Sequence, residues 1–86
     1  MICRVCVRDD IGVRIRAARE ARGMKQAKLA YDVGRTISDV SGWERGRHLP
    51  GALSLAYLAL ALDVSADWIL FGQGAGPSGE FVRAAT

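Results

Sequence analysis

Apolar residues recur at intervals of three and four through the middle of the chain, which predicts three short amphipathic helices. The first helix follows Asp9 and Asp10, the second follows Met24, and the third follows Thr36, whose hydroxyl is suited to cap it. Each run ends at a glycine, the residue best suited to a left-handed helix end. The predicted inward-facing positions are Ile11, Ile15, Ala18, Leu29, Ala30, Val33, Val40 and Trp43.

Two further helices are predicted in the second half of the chain. Pro50 precedes the run ALSLAYLALAL, which is almost wholly apolar and rich in helix-forming Ala and Leu, and Asp63 and Val64 interrupt it. Ser65 can cap a last short helix, ADWILFG, which Gly72 stops. Five helices over residues 10 to 71 predict an all-α domain.

The two ends of the chain differ from this helical region. Residues 1 to 9 form an N-terminal arm, in which ICRVCV alternates loosely and has strand-forming residues, favouring a short edge strand. Residues 73 to 86 are rich in glycine and include Pro77, which predicts a flexible tail. No repeat or second domain is visible, so residues 10 to 72 form the single predicted domain.

Length and apolar pattern narrow the setting. A chain of 86 residues is one small domain, for which burial is marginal and a partner subunit would add stability. No uncharged apolar stretch reaches about 18 residues, and Arg4 and Arg8 break the N-terminal run. Neither a transmembrane helix nor a secretory signal fits, and we expect a soluble, cytoplasmic protein with no membrane partner.

Positive charge is concentrated in one half of the chain. Residues 11 to 48 hold nine basic and four acidic residues, a balance of +5, whereas residues 49 to 86 hold one arginine and three acidic residues, a balance of −2. This asymmetry fits a phosphate-binding face backed by an apolar assembly face. An ordinary solvated helix surface would show a similar excess of charge.

The few chemically reactive residues do not form a catalytic or metal-binding pattern. Cys3 and Cys6 form a CxxC pair, but a tetrahedral zinc site needs four ligands, and His48 is the only histidine. Ser38 and Ser41 have no placed base, and no phosphate-cradling glycine loop occurs. We therefore expect plain thiols, no metal or other cofactor, and no enzymatic activity.

Residues spread over positions 10 to 72 form an ordered set: Ile15, Arg19, Gly23, Gln26, Leu29, Ala30, Gly34, Ser41, Trp43, Glu44, Gly46, Pro50, Ala59, Leu62, Val64, Ser65, Asp67 and Trp68. This set resembles the lambda-repressor-like, or XRE, family of helix-turn-helix DNA-binding domains. The resemblance implies a five-helix fold with a reading helix in the DNA major groove. It also implies that Arg19 pairs with Glu44 and serves the fold.

At the reading helix, the resemblance implies that Ile37, Ser38 and Gly42 face base edges. None of these offers the bidentate hydrogen bonding of Arg, Asn or Gln. Ile37 can contact a thymine methyl, Ser38 can bond either kind of base, and Gly42 would admit a close approach. Direct readout is therefore expected to be weak, with part of the specificity read from DNA shape.

Phosphate contacts are implied for a second group of residues. Gln26, at the start of the second helix, would bond a phosphate and brace the reading helix. Lys25 stands where the family often has a Ser or Thr cap, and Arg35 where it usually has an apolar residue. Either the third helix shifts register locally or Arg35 turns outward to DNA. The remaining residues expected near the backbone or the adjoining minor groove are Thr36, Asp39, Arg45, Arg47 and His48.

Matching the family pattern to the fourth helix leaves an apolar stripe of Leu53, Tyr57 and Leu60 facing outward. We expect the stripe to be the interface of a homodimer, completed by Ile69 and Phe71, although packing of the tail could also cover it. The inward-facing residues would be Ala52, Leu55, Ala56, Leu58, Ala59 and Leu62.

The sequence thus predicts a dimeric transcriptional regulator, similar to a phage repressor, that binds double-stranded DNA at an inverted-repeat operator. The alternative is an interaction module or antitoxin-like partner protein that keeps the fold with weak direct DNA readout.

Overall fold

A computed structural model describes residues 4–77 of the chain, with side chains from residue 7 onward. This part of the chain forms five helices and no strand: α1 (Arg4–Ala21), α2 (Gln26–Val33), α3 (Ile37–Glu44), α4 (Ala52–Leu62) and α5 (Ala66–Phe71). The predicted all-α, five-helix fold is confirmed. α3 packs against both α1 and α2, and α5 packs against α1 and α4.

The core is built from the apolar faces of all five helices. All eight positions predicted to face inward in the first three helices are buried, and α4, α5 and the segment between them supply the rest. The buried apolar residues are Ile11, Ile15, Ala18, Leu29, Ala30, Val33, Val40, Trp43, Leu58, Leu62, Val64 and Ile69.

The first helix begins well before its predicted start. α1 starts at Arg4, so the predicted edge strand is wrong for residues 4 to 7, and the residues around Asp9 and Asp10 lie within the helix. Val7 packs against the core four residues before Ile11 and extends the same helix face by one turn. Cys3 and the side chain of Cys6 lie outside the described parts of the chain. The expectation that both are plain thiols therefore stays a prediction.

Helices α2 and α3 each end in a left-handed residue that reverses the chain. Gly34 has φ 70° and Gly46 has φ 75°, a region that disfavours residues with a Cβ atom. After α2, the N–H of Arg35 donates to the carbonyl of Ala30 over 2.9 Å; after α3, the N–H of Arg47 donates to the carbonyl of Gly42, also over 2.9 Å. Each of these is the long hydrogen bond of a Schellman motif, which satisfies a carbonyl in the last turn of the helix.

Residues 73 to 77, the first part of the predicted flexible tail, fold back onto α5. The N–H of Ser65 donates to the carbonyl of Ala75 over 2.9 Å. Gly76 is buried against the indole of Trp68, where an added Cβ atom would lie 3.0 Å from Nε1. Glycine here permits close packing over a large aromatic side chain. The rest of the predicted tail, residues 78 to 86, lies outside the described residues.

The fourth helix buries less of its surface than predicted. Leu58 and Leu62 are fully buried and Leu55 and Ala59 partly so, but Ala52 and Ala56 are exposed, which corrects their predicted inward placement. A narrower buried face arises because α4 contacts chiefly α2 and α5. None of the helices in residues 4–77 is both long and apolar enough to cross a membrane.

Candidate nucleic-acid interface

A buried carboxylate fixes the position of α3. The side chain of Glu44 is 3% exposed. Arg19 of α1 donates to it through Nε over 2.7 Å and through Nη2 over 3.1 Å, and Gln26 of α2 donates through Nε2 over 3.0 Å. The hydrogen bond to Glu44 raises the pKa of Arg19. The expected Arg19–Glu44 pair is confirmed, and Gln26 extends it to a three-helix junction.

The start of α2 has N–H groups that remain available to a ligand. Gln26 commits one Nε2 hydrogen to Glu44, and an amide nitrogen carries a second. Lys25, at the N-cap, makes no side-chain cap, so it leaves the first backbone N–H groups of α2 without that partner. This helix end, with Lys25 exposed beside it, has the polarity that suits an anion.

A capping box begins α3. The N–H of Asp39 donates to Thr36 Oγ1 over 3.1 Å, and the N–H of Thr36 donates to Asp39 Oδ2 over 3.3 Å. Arg35 turns outward, which was the alternative to a local shift in the register of the third helix. Its Nε donates to the same Oδ2 over 3.1 Å. The bond from the Thr36 backbone, helped by the Thr36 hydroxyl and the Arg35 charge, lowers the pKa of Asp39. Thr36 and Asp39 therefore help to form the start of the helix.

The outer face of α3 contains residues predicted to read bases. Ile37 is 52% exposed, and Ser38 and Arg45 are also exposed. Gly42 is buried, because the imidazole of His48 lies against it: a Cβ atom added to Gly42 would overlap the ring. This contradicts the expectation of an open approach at Gly42.

Several of the basic residues form intramolecular contacts. Arg14 donates to the carbonyls of Ile69 and Leu70 at the end of α5, in each case over 2.8 Å. Three others form pairs with acidic residues four positions along the chain: Arg16–Glu20, Lys28–Asp32 and Arg35–Asp39. Within the described part of the chain, four exposed basic residues form no ion pair: Arg22, Lys25, Arg45 and Arg47. Arg22 follows the end of α1, and the other three lie at the ends of α2 and α3.

Two structural residues were not singled out from the sequence. Arg14 caps α5, because it donates to the carbonyls of Ile69 and Leu70. Gly12 lies where α1 crosses α3, and a Cβ atom there would lie 2.8 Å from the carbonyl oxygen of Glu44 and closer still to that of Trp43. A glycine in the middle of a predicted helix is a signal for such a close approach.

The proposed assembly surface is partly as predicted. Leu53, Tyr57 and Leu60 are 67%, 44% and 77% exposed, and Phe71 is 66% exposed. Ile69, in contrast, is fully buried among the helices, which removes it from the predicted dimer surface. The reason is register: in α5, Ile69 faces the core, and Phe71, two residues on, lies on a different face.

A groove of about 580 Å³ lies beside the loop between α3 and α4. Its lining includes Asp39 and Trp43 of α3, His48 of the loop, and Leu53 and Tyr57 of the apolar stripe. The exposed Leu49, in the loop between α3 and α4, also borders it. Two of the three stripe residues thus line the same groove as His48.

Comparison with known proteins agrees with this geometry. A family model described as a helix-turn-helix domain matches residues 12–75. Repressor protein C2 of Salmonella phage P22 is 39% identical over 63 residues, which is 73% of this chain and 29% of that protein. The uncharacterised HTH-type transcriptional regulator y4dL of Sinorhizobium fredii is 45% identical over 56 residues, 65% of this chain and 29% of that protein. The chain thus spans less than a third of the length of these curated relatives.

Solved structures show the same arrangement of helices. The P22 c2 repressor bound to a synthetic operator superposes with a TM-score of 0.72 at 38% identity, covering 73% of this chain and 96% of that one. The restriction-modification controller protein C.AhdI of Aeromonas hydrophila gives a TM-score of 0.68 at 34% identity, covering 71% and 92%. The chain belongs to the helix-turn-helix domain family, with the lambda-repressor-like fold of its XRE type.

Proposed function

We propose that this chain is a sequence-specific DNA-binding transcriptional regulator, with α3 as its reading helix. The main support is the junction at Glu44, which joins α1, α2 and α3 and leaves the opposite side of α3 exposed. A reading helix has to be held rigidly while its outer face stays accessible. Relatives that are named as repressors or regulators support the same assignment.

Phosphate contacts surround that face in the proposal. Lys25 and the second Nε2 hydrogen of Gln26 bind one phosphate group together with the start of α2, and Arg45 and Arg47 bind others beyond the end of α3. Arg35, Thr36 and Asp39 lie beside the DNA path, and Arg35 exchanges its pairing with Asp39 for a phosphate. Ile37 and Ser38 approach base edges.

The second element of the proposal is a homodimer formed through the stripe of Leu53, Tyr57 and Leu60, extended by Phe71. Burying a leucine side chain contributes about 1.5–3 kcal/mol, so a stripe this exposed favours association. A twofold dimer places two reading helices about 34 Å apart, so the operator is an inverted repeat with half-sites about one helical turn apart.

A gel-shift series tests DNA binding. We expect the full chain to bind duplex fragments from upstream of its own gene, with an affinity that falls steeply with salt and a defined footprint. Gln26→Ala should weaken binding to all sequences. The alternative, an interaction module or antitoxin-like partner with weak readout, is favoured by the exposed stripe, the short side chain of Ser38 and the lack of a side chain at Gly42. Absence of binding at low salt would reject the DNA-binding assignment and leave that alternative.

Sedimentation tests the dimer. Leu60→Glu puts a charge in the stripe and should shift the chain towards monomer. Val13→Glu is the matched control, because Val13 is 63% exposed on α1, away from the stripe. A dimer that survives Leu60→Glu, or a wild-type chain that stays monomeric on operator DNA, would contradict the proposed interface.

A further inference from the structure

The reading face of α3 has a position without a side chain of its own. Ser38, Gly42 and Arg45 are spaced by four and three residues, so they form one stripe along the helix. Side chains in such a stripe reach the same groove of bound DNA. A glycine in its middle would leave a gap between the hydroxyl of Ser38 and the guanidinium of Arg45.

The loop after α3 fills this gap. A Cβ atom built on Gly42 would lie 2.8 Å from Cε1 and 2.9 Å from Cδ2 of His48, and closer still to Nε2. The tip of the imidazole therefore occupies the space where a side chain at position 42 would begin. His48 is exposed, and its ring is what covers Gly42.

Backbone geometry holds His48 in this place. Gly46, with φ 75°, turns the chain back after the helix. The N–H of Gly46 donates to the carbonyl of Trp43 over 3.1 Å, and the N–H of Arg47 donates to the carbonyl of Gly42 over 2.9 Å. The second bond joins the residue before His48 to the residue that His48 covers. The helix end thus places the backbone at His48 beside Gly42.

We infer that His48 stands in for the missing side chain at position 42 and contacts a base edge in the major groove. The inference rests on the proposed DNA-binding function. Because Nε2 is the ring atom nearest to Gly42, the bond to a base would fall to Nδ1. Depending on the tautomer, Nδ1 can donate to the N7 or O6 of guanine or the O4 of thymine, or accept from the N6 of adenine. His48 then adds base discrimination to a face on which Ile37 offers only an apolar contact.

A base-preference experiment tests the inference. Duplexes of about 24 base pairs, long enough for two half-sites one turn apart, are selected from a random library with the full wild-type chain. Binding is then measured for every single-base variant of the selected duplex. His48→Ala should lower the discrimination at one base pair of each half-site by about five- to tenfold and leave the other positions unchanged.

Two further variants separate this role from others. Arg47→Ala is the control at the neighbouring exposed residue and should weaken all duplexes equally. Gly42→Ala displaces the imidazole without removing it and should lose discrimination at the same base pair as His48→Ala. The double variant should lose no more than either single one. Circular dichroism establishes that each variant is folded.

The outcomes distinguish this inference from the function on which it depends. If His48→Ala weakens all duplexes equally, or changes none, His48 is not a base-reading residue, while the regulator assignment stands. If Gly42→Ala keeps the discrimination that His48→Ala loses, the ring does not act from the place over Gly42. If the wild-type chain selects no sequence, both the inference and the sequence-specific function are overturned.

Discussion

The two sides of α3 differ in what fixes their residues. On the inner side, Val40 and Trp43 are buried, and Glu44 accepts hydrogen bonds from Arg19 and Gln26. The outer side, where Ser38 and Arg45 lie, makes no side-chain hydrogen bond within residues 7–77. Replacements on the inner side should therefore change stability, and replacements on the outer side should change binding. In the proposed function, one short helix thus keeps structural and recognition roles on different sides.

The largest effect is expected at the inner side, from Glu44→Ala. Losing the carboxylate leaves the largely buried guanidinium of Arg19 without its partner, which costs about 3–5 kcal/mol in the free energy of unfolding. Urea denaturation measures it. Glu20→Ala is the control, because Glu20 is 54% exposed and its removal should cost less than about 1 kcal/mol. Similar losses for both variants would show that the junction does not hold α3.

A smaller loss of stability is expected where α1 crosses α3, from Gly12→Ala. The added methyl group would meet the carbonyls of Trp43 and Glu44 and push the two helices apart, at a cost of about 1–3 kcal/mol. Gly51→Ala is the matched control, because a Cβ atom at Gly51 has no neighbour within 4 Å. If thermal unfolding shows Gly12→Ala to be as stable as Gly51→Ala, the helices do not approach this closely.

The capping box at the start of α3 should make stability depend on pH. The folded-state pKa of Asp39 lies below its ordinary value of 3.8. The ionised carboxylate therefore stabilises the fold fully above that ordinary value, and this contribution is lost as the pH falls through the folded-state pKa. We expect the unfolding free energy of wild type to fall more than that of Asp39→Asn below pH about 4. Parallel pH profiles from urea denaturation would contradict this.

The smallest change in stability is expected on the outer side, from Arg45→Ala. Arg45 is exposed and unpaired within the described residues, so the free energy of unfolding should change by less than about 0.5 kcal/mol. Affinity for DNA should fall for all sequences, and the slope of log affinity against log salt should decrease by about 1. Arg16→Ala removes the same charge from α1 and should leave the slope unchanged. A large loss of stability in Arg45→Ala would contradict the expectation that the outer side of α3 affects binding and not stability.

Local signals predicted most of the fold. The buried faces of α1, α2 and α3 follow from apolar spacing, and Gly34 and Gly46 end their helices because left-handed backbone favours glycine. The N-terminal strand was wrong for residues 4 to 7 because ICRVCV fits two periodicities, and Val7 continues the face of Ile11 in the packed core. Composition did not reveal that Gly76 packs against Trp68, because this is a contact between segments.

The candidate site divides in the same way. Its members were predicted from an ordered motif, and the structure adds which of them are already engaged: Gln26 with Glu44, and Thr36 and Arg35 with Asp39. Ile69 was assigned to the surface because apolar residues of a short helix do not show which side is covered. Its burial depends on how α5 packs against α1 and α4.

The sequence by itself determined the five helices, their ends other than the start of α1, and the family, because these depend on spacing and on the backbone preferences of single residues. Only the tertiary structure decided which charges remain free and what covers Gly42. The free charges and the cover over Gly42 both depend on contacts between residues that are distant in the sequence or separated by a turn. Arg14 reaches the end of α5 across 55 positions of sequence, and His48 returns to α3 because Gly46 reverses the chain. Contacts of this kind arise from packing, which no local pattern encodes.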